Sequence, residues 1–192
     1  MKSYHRLFLY IISLLFLFSC KSESNITVYK LKKNKSTVSS TENTNLVSRT
    51  LNWNTPNNWS EKPPTNFRLA SFDILAKSGE IIDLSITSFP GDAGGIEQNV
   101  NRWRRQINLD PQNINTIMNM AKIESSMLGE YYIFDLENNI TNQSIIVALI
   151  PYLNNESIIS ETIFIKMGGN YNLMQELKYE FELFCKSIHW SK

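Results

Sequence analysis

The run Ser144-Ile145-Ile146-Val147-Ala148-Leu149-Ile150 constrains the fold more than any other stretch of this 192-residue chain. Consecutive, mostly β-branched apolar residues favour extended backbone. A strand this apolar belongs at the centre of a sheet. Further strand patterns surround it. Residues 67–74 read as one strand and Gly79 as a turn. Ile82-Asp83-Leu84-Ser85-Ile86-Thr87 then alternates apolar and polar, as a half-buried strand paired to the first would. Residues 131–136 form another, followed by a turn at Asn138-Asn139. Residues 162–167 form a last one, ended by Gly168-Gly169.

Two segments carry helical spacing instead. Ile96, Val100, Trp103 and Ile107 recur on one face of a helix over 95–107, with Glu97, Asn101, Arg104, Arg105 and Asn108 on the other. Arg104 and Arg105 are expected to face water. Pro111 prevents continuation. The stretch from there to Met127 has a mixed pattern and receives no assignment. A final helix over 171–188 has Leu173, Leu177, Phe181, Phe184 and Ile188 as its buried stripe. Before the sheet, Trp53 and Trp59 lie among prolines that forbid regular helix, and are expected to pin an irregular lead-in segment onto the domain. The order predicts an α+β domain: four or five antiparallel strands flanked by the two helices, with Trp103 and Phe181 in the core.

The N-terminus speaks of location. Lys2 and Arg6 precede an apolar run from Leu7 to Phe18 broken only by Ser13, and Leu17-Phe18-Ser19-Cys20 follows. This resembles a bacterial lipoprotein signal peptide ending in a lipobox, although Phe18 is bulkier than the usual residue there. The run is short for a spanning helix, which needs about 20 apolar residues. Residues 1–19 are therefore expected to be removed and Cys20 to carry the lipid, palmitate included. Residues 20–50, rich in Ser, Thr, Asn and Lys, are expected to be a flexible tether, and 51–192 the α+β domain. Lys21 and Glu23, with no Asp after Cys20, fit an outer-membrane lipoprotein of the cell envelope.

Loss of residues 1–19 takes Lys2 and Arg6 from the 19 basic residues and none from the 18 acidic ones, leaving a net charge near −1. Such a balance gives no basis for binding nucleic acid. The two cysteines are Cys20 and Cys185. With Cys20 lipidated, Cys185 has no partner and no internal disulfide is expected.

Catalytic signatures are sparse. Once the leader is gone His189 is the remaining histidine, and Asp73, Asp83, Asp92 and Asp135 are scattered singly. Cys185 and His189 stand four apart on the final helix, but a metal site needs more ligands. They read as core packing and a helix-end cap, with no metal and no cofactor expected. Phe89-Pro90-Gly91-Asp92-Ala93-Gly94-Gly95 precedes a helix but lacks both the Walker ending and the dinucleotide fingerprint, so it reads as a tight turn. Arg102, beside Trp103, is placed to pair with a strand carboxylate or to stack on a ring. The expected site is a polar cluster of Arg68, Asp92, Asn99 and Arg102 at one end of the sheet. It serves either to bind a partner or to fix the junction of loop and helix.

Trp53-x-x-Pro56-x-x-Trp59, Arg68-Leu69-Ala70-Ser71-Phe72, and the Gly-Asp-x-Gly-Gly of 91–95 followed by Asn99-Val100-Asn101-Arg102-Trp103 together resemble an uncharacterised family of bacterial secreted and lipid-anchored proteins. Residues 162–169 and the final helix look like that family's closing half. The order of elements is in turn similar to PsbP, the extrinsic photosystem II protein, and to the Ran-binding nuclear-import factor. This implies a PsbP-like α/β/α sandwich acting in binding or assembly without catalysis. The expectation is thus a lipid-anchored envelope protein that is not an enzyme, held to the membrane through Cys20, with an envelope protein as partner. The alternative is an envelope hydrolase or small-molecule carrier with a site around the 91–95 loop.

Overall fold

The computed structural model describes residues 49–191. The signal peptide 1–19, the lipidation site Cys20 and nearly all of the tether 20–50 lie outside the described residues. The elements run β1 (Leu51–Asn52), β2 (Trp59–Lys62), β3 (Ala70–Leu75), β4 (Ile81–Pro90), α1 (Ile96–Gln106), α2 (Ile114–Met120), β5 (Lys122–Ser126), β6 (Gly129–Asn138), β7 (Gln143–Leu153), β8 (Ile159–Asn170), α3 (Tyr171–Ser187) and β9 (His189–Trp190). Among the described residues no helix is long and apolar enough to cross a membrane.

Seven strands form one antiparallel sheet in the order β2-β3-β4-β8-β7-β6-β5, more than the four or five expected. The additional strands are the two edges. β2 presents Trp-Ser-Glu-Lys and β5 Lys-Ile-Glu-Ser-Ser, too short and too polar for periodicity to stand out. Charged residues on an edge also discourage pairing with other chains.

The apolar run of β7 is an interior strand between β8 and β6, and every residue from Ser144 to Ile150 is buried. Both faces are covered. Ile146, Ala148 and Ile150 join Ile163, Ile165 and Met167 of β8 beneath Leu173, Leu177, Phe181 and Phe184 of α3. Ile145, Val147 and Leu149 join Phe134, Leu136 and Phe164 beneath Val100 and Trp103 of α1, its C-cap Ile107, and Ile117 of α2. The domain is therefore an α+β antiparallel sheet flanked by helices on both faces, the sandwich expected. Trp103 and Phe181 are core residues.

The two N-terminal tryptophans pack on the α3 side. Trp59 packs at a tilt with its ring 4.7 Å from Phe184 and 5.7 Å from Phe72, and Trp53 meets Phe72 edge-on at 6.0 Å. Trp59 also donates from Nε1 to Glu180 Oε2 at 3.1 Å. Just upstream, Leu51 pairs with Trp190 and Asn52 with His189, so a two-stranded ribbon fastens the start of the domain to its end. The lead-in segment is thus not wholly irregular. Cys185 lies in the centre of the α3 core, fully buried, where burial pushes its thiol well above the ordinary range. His189 places Nδ1 2.8 Å from the Ser187 carbonyl oxygen at the end of α3. Among the described residues no group of His, Cys, Asp or Glu has the arrangement of a metal site.

Candidate functional site: a polar cleft beside α1

The helix after the glycine-rich loop corrects one expectation. Asn101 and Arg104, assigned to the watery face, are buried. The loop 107–113 folds back over that side. Asn101 donates from Nδ2 to the Gln112 carbonyl and accepts from the Gln112 amide, both at 2.8 Å. Arg104 donates from Nε to the Asp110 carbonyl at 2.7 Å. Helical spacing states which side chains share a face but not what covers that face. Arg105 does remain exposed. Asn138 of β6 completes the arrangement by donating to the Ile107 carbonyl at 2.7 Å.

Asp92 and Asn99 both bond the loop at the other end of α1. Asp92 Oδ1 accepts from the Gly94 amide at 3.1 Å. Asn99 donates from Nδ2 to the carbonyls of Ala93 at 3.0 Å and Gly95 at 2.7 Å. Gly91, Gly94 and Gly95 all take positive φ, the conformation that glycine adopts without penalty. These contacts lock the loop to the helix.

Arg68 and Arg102 are elsewhere. Arg68 donates from Nη1 to Asp83, forming an ion pair at 3.0 Å, and to Ser71 Oγ at 3.3 Å. Arg102 is exposed, with its guanidinium carbon 5.9 Å from the Trp103 ring centroid. No hydrogen bond or ion pair joins any of Arg68, Asp92 and Arg102 to one another, so the four residues divide between two places. What Arg68 and Arg102 share is a neighbour, Lys166, whose protonation both disfavour.

Lys166 sits at a boundary in the sheet. Reading across the strands, Lys62, Ser71, Ser85, Lys166, Val147 and Phe134 lie opposite one another in a single row. The row is polar over β2, β3, β4 and β8, and apolar from β7 on. The helices on this face pack on side chains from β6, β7 and β8, whereas β2, β3 and β4 carry Lys62, Ser71, Asp73, Asp83 and Ser85. A cleft of about 550 Å³ opens where the last turn of α1 meets this polar half. Arg68, Asp83, Gln106, Lys166, Gly168 and Asn170 are among the residues lining it.

The charges of the cleft are unevenly matched. Lys62 bridges Asp73 at 2.5 Å and Asp83 at 2.7 Å, and those hydrogen bonds raise the lysine above its ordinary range. Burial alone would raise the Asp83 carboxyl, but the hydrogen bond from Lys62 and the charge of Arg68 hold it below its ordinary range. Lys166 makes no ion pair among the described residues and donates to the neutral Gln106 Oε1 at 3.0 Å. Burial first, then the positive charges of Arg102 and Arg68, hold its ammonium below the ordinary lysine range, with Asp83 opposing. The sequence did carry a signal for Lys166. It is the lone charge in Ile163-Phe164-Ile165-Lys166-Met167, on the face that Phe164 turns to α1.

No protein-family model matches the chain. No curated protein matches it. Among solved structures it is similar to LpqN of Mycobacterium tuberculosis, described as involved in cell envelope biogenesis, at 8% identity and a TM-score of 0.45 over 76% of this chain and 85% of that one. It is similar to the cyanobacterial PsbP of Synechocystis at 14% identity and a TM-score of 0.43, over 80% of this chain and 99% of that one. A Bacteroides thetaiotaomicron protein follows at 12% identity and a TM-score of 0.37, over 74% of this chain and 45% of that one. At these scores the likenesses decide nothing about ligand, partner or activity.

Proposed function

We propose that this chain is a lipid-anchored cell-envelope protein whose domain acts as a non-catalytic binding module, with the cleft beside α1 as its binding surface. The observation that carries the binding reading is Lys166: a half-buried cation without an ionic partner among the described residues, held on an interior strand at the floor of an open recess. Charge in such a place costs stability, and a ligand that meets it offsets that cost. The envelope reading rests on the lipobox-like Leu17-Phe18-Ser19-Cys20, and with it attachment through Cys20 to the outer membrane and contact with an envelope partner. At the alternative site, the 91–95 loop, Asp92 is exposed and its Oδ1 accepts from the Gly94 amide of its own loop.

Two measurements test the two halves. Metabolic labelling with a palmitate analogue is expected to mark the protein and to fail for Cys20→Ala; labelling that persists contradicts the anchor. A photoreactive residue placed at Gln106 in intact cells is expected to crosslink an envelope component that the same residue placed at Tyr179, exposed on α3, does not. Equal labelling from both positions contradicts binding at the cleft.

A further inference from the structure

The cleft and its surroundings hold more positive charge than they neutralise. Lys62, Arg68, Arg102 and Lys166 stand against Asp73 and Asp83, with Glu80 at the rim, where it accepts from Asn170 Nδ2 at 3.1 Å. Asp73 and Asp83 are already engaged by Lys62, and Asp83 by Arg68 as well. Arg102 stands one helical turn before Gln106, on the same side of α1, and forms no ion pair among the described residues. Among the described residues two cations are therefore left without a carboxylate partner, Lys166 on the floor of the cleft and Arg102 on the helix just outside its lining.

The floor of the cleft also keeps room for a ligand. Lys166 and Gly168 project from the same face of β8. Gly168 contributes no side chain, and a Cβ there would lie 3.3 Å from Ile145 Cγ1, tight against the wall. A larger residue would fill the space next to the ammonium. Around the rim, Gln106 and Asn142 bring amides that can bond hydroxyl groups, while the Asn170 amide is engaged by Glu80 and the Leu173 amide.

Resting on the binding-module reading, we propose that the cleft binds a phosphomonoester group, with Lys166 as its direct cationic ligand, Arg68 reaching it beside its Asp83 ion pair, and Arg102 adding charge from the helix. A phosphomonoester carries close to two negative charges at neutral pH, which matches the unneutralised pair, and offers the acceptor oxygens that lysine and arginine donors need. The phosphate belongs either to a small polyol phosphate or to a lipid headgroup.

The test is calorimetric titration of the full chain in a neutral detergent. The probes are inorganic phosphate, glycerol 1-phosphate and glycerol, with vesicles of phosphatidic acid against vesicles of phosphatidylcholine alone. Saturable binding of glycerol 1-phosphate or of phosphatidic acid vesicles is expected, and which of the two binds names the source. Lys166→Met and Arg68→Gln are each expected to weaken it about tenfold, as loss of one charge-assisted hydrogen bond should. Gly168→Leu is expected to abolish it and Lys186→Met, on α3, to leave it unchanged. Should Gly168→Leu fail to fold, the Lys166→Met comparison decides alone. No saturable binding by any phosphate probe overturns the proposal, and so does binding that Lys166→Met does not weaken. Equal binding of glycerol overturns the phosphate assignment while leaving the cleft a binding site. Release of inorganic phosphate from glycerol 1-phosphate overturns the non-catalytic reading itself.

Discussion

Lys166 donates from Nζ to Gln106 Oε1 across 3.0 Å, tying the middle strand of the sheet to the last turn of α1 at the line where this face changes from apolar to polar. Because the folded state holds that ammonium less readily than the unfolded chain does, its charge lowers stability at neutral pH. The penalty fades as pH rises through the depressed folded value toward the ordinary 10.5. Lys166→Met should therefore leave the melting temperature at neutral pH equal or higher, and flatten its rise on the alkaline side. Thermal denaturation across pH checks this. A clear fall in melting temperature would make Lys166 a structural tie instead of a binding group.

Trp103 anchors α1 on the sheet, 3% exposed and edge-on to Phe164 at 5.4 Å. Trp103→Ala should cost about 3–5 kcal/mol in denaturant unfolding. An unchanged midpoint would contradict its place in the core.

Asn101 satisfies both backbone groups of Gln112. Asn101→Ala should cost about 1–3 kcal/mol by orphaning them. Arg105→Ala, exposed on the same helix, should stay within about 0.5 kcal/mol. Similar losses for the two would mean that the 107–113 loop does not depend on Asn101.

Gly169 lies where a Cβ would come 2.6 Å from Ile82 Cδ1. Gly169→Ala should overpack this side of the sheet by about 1 kcal/mol, the low end of such costs, because the overlapping atom is the end of the Ile82 side chain. Ile82→Val removes the overlapping atom, so the double variant should recover part of the loss, a coupling that a double-mutant cycle measures. Purely additive losses would contradict the contact.

The legible part of this fold was its apolar periodicity. The runs at 131–136, 144–150 and 162–167, the stripe ending in Trp103 and Ile107, and the stripe of α3 all state what they bury, and they gave both layers and the α+β class. The edges were not legible, because β2 and β5 present too few apolar residues to form a pattern. Pairing of Leu51 with Trp190 joins distant parts of the chain and leaves no local mark. The Asn99-x-Asn101 motif drew attention as chemistry, but its amides hold the loops at either end of α1. In the cleft, Arg68 was singled out for its sequence context. Lys166 is not legible in the same way, because a single lysine in a strand becomes meaningful only once the row across the sheet shows polar residues on one side and core on the other.

The claim that the cleft beside α1 is the binding surface is tested most directly by mapping amide resonances of the full chain as glycerol 1-phosphate is added. The shifted resonances are expected to gather at Arg68, Gln106, Lys166 and Gly168. Shifts gathered instead at Asp92 and Gly94, or spread evenly over the surface lysines, would contradict it.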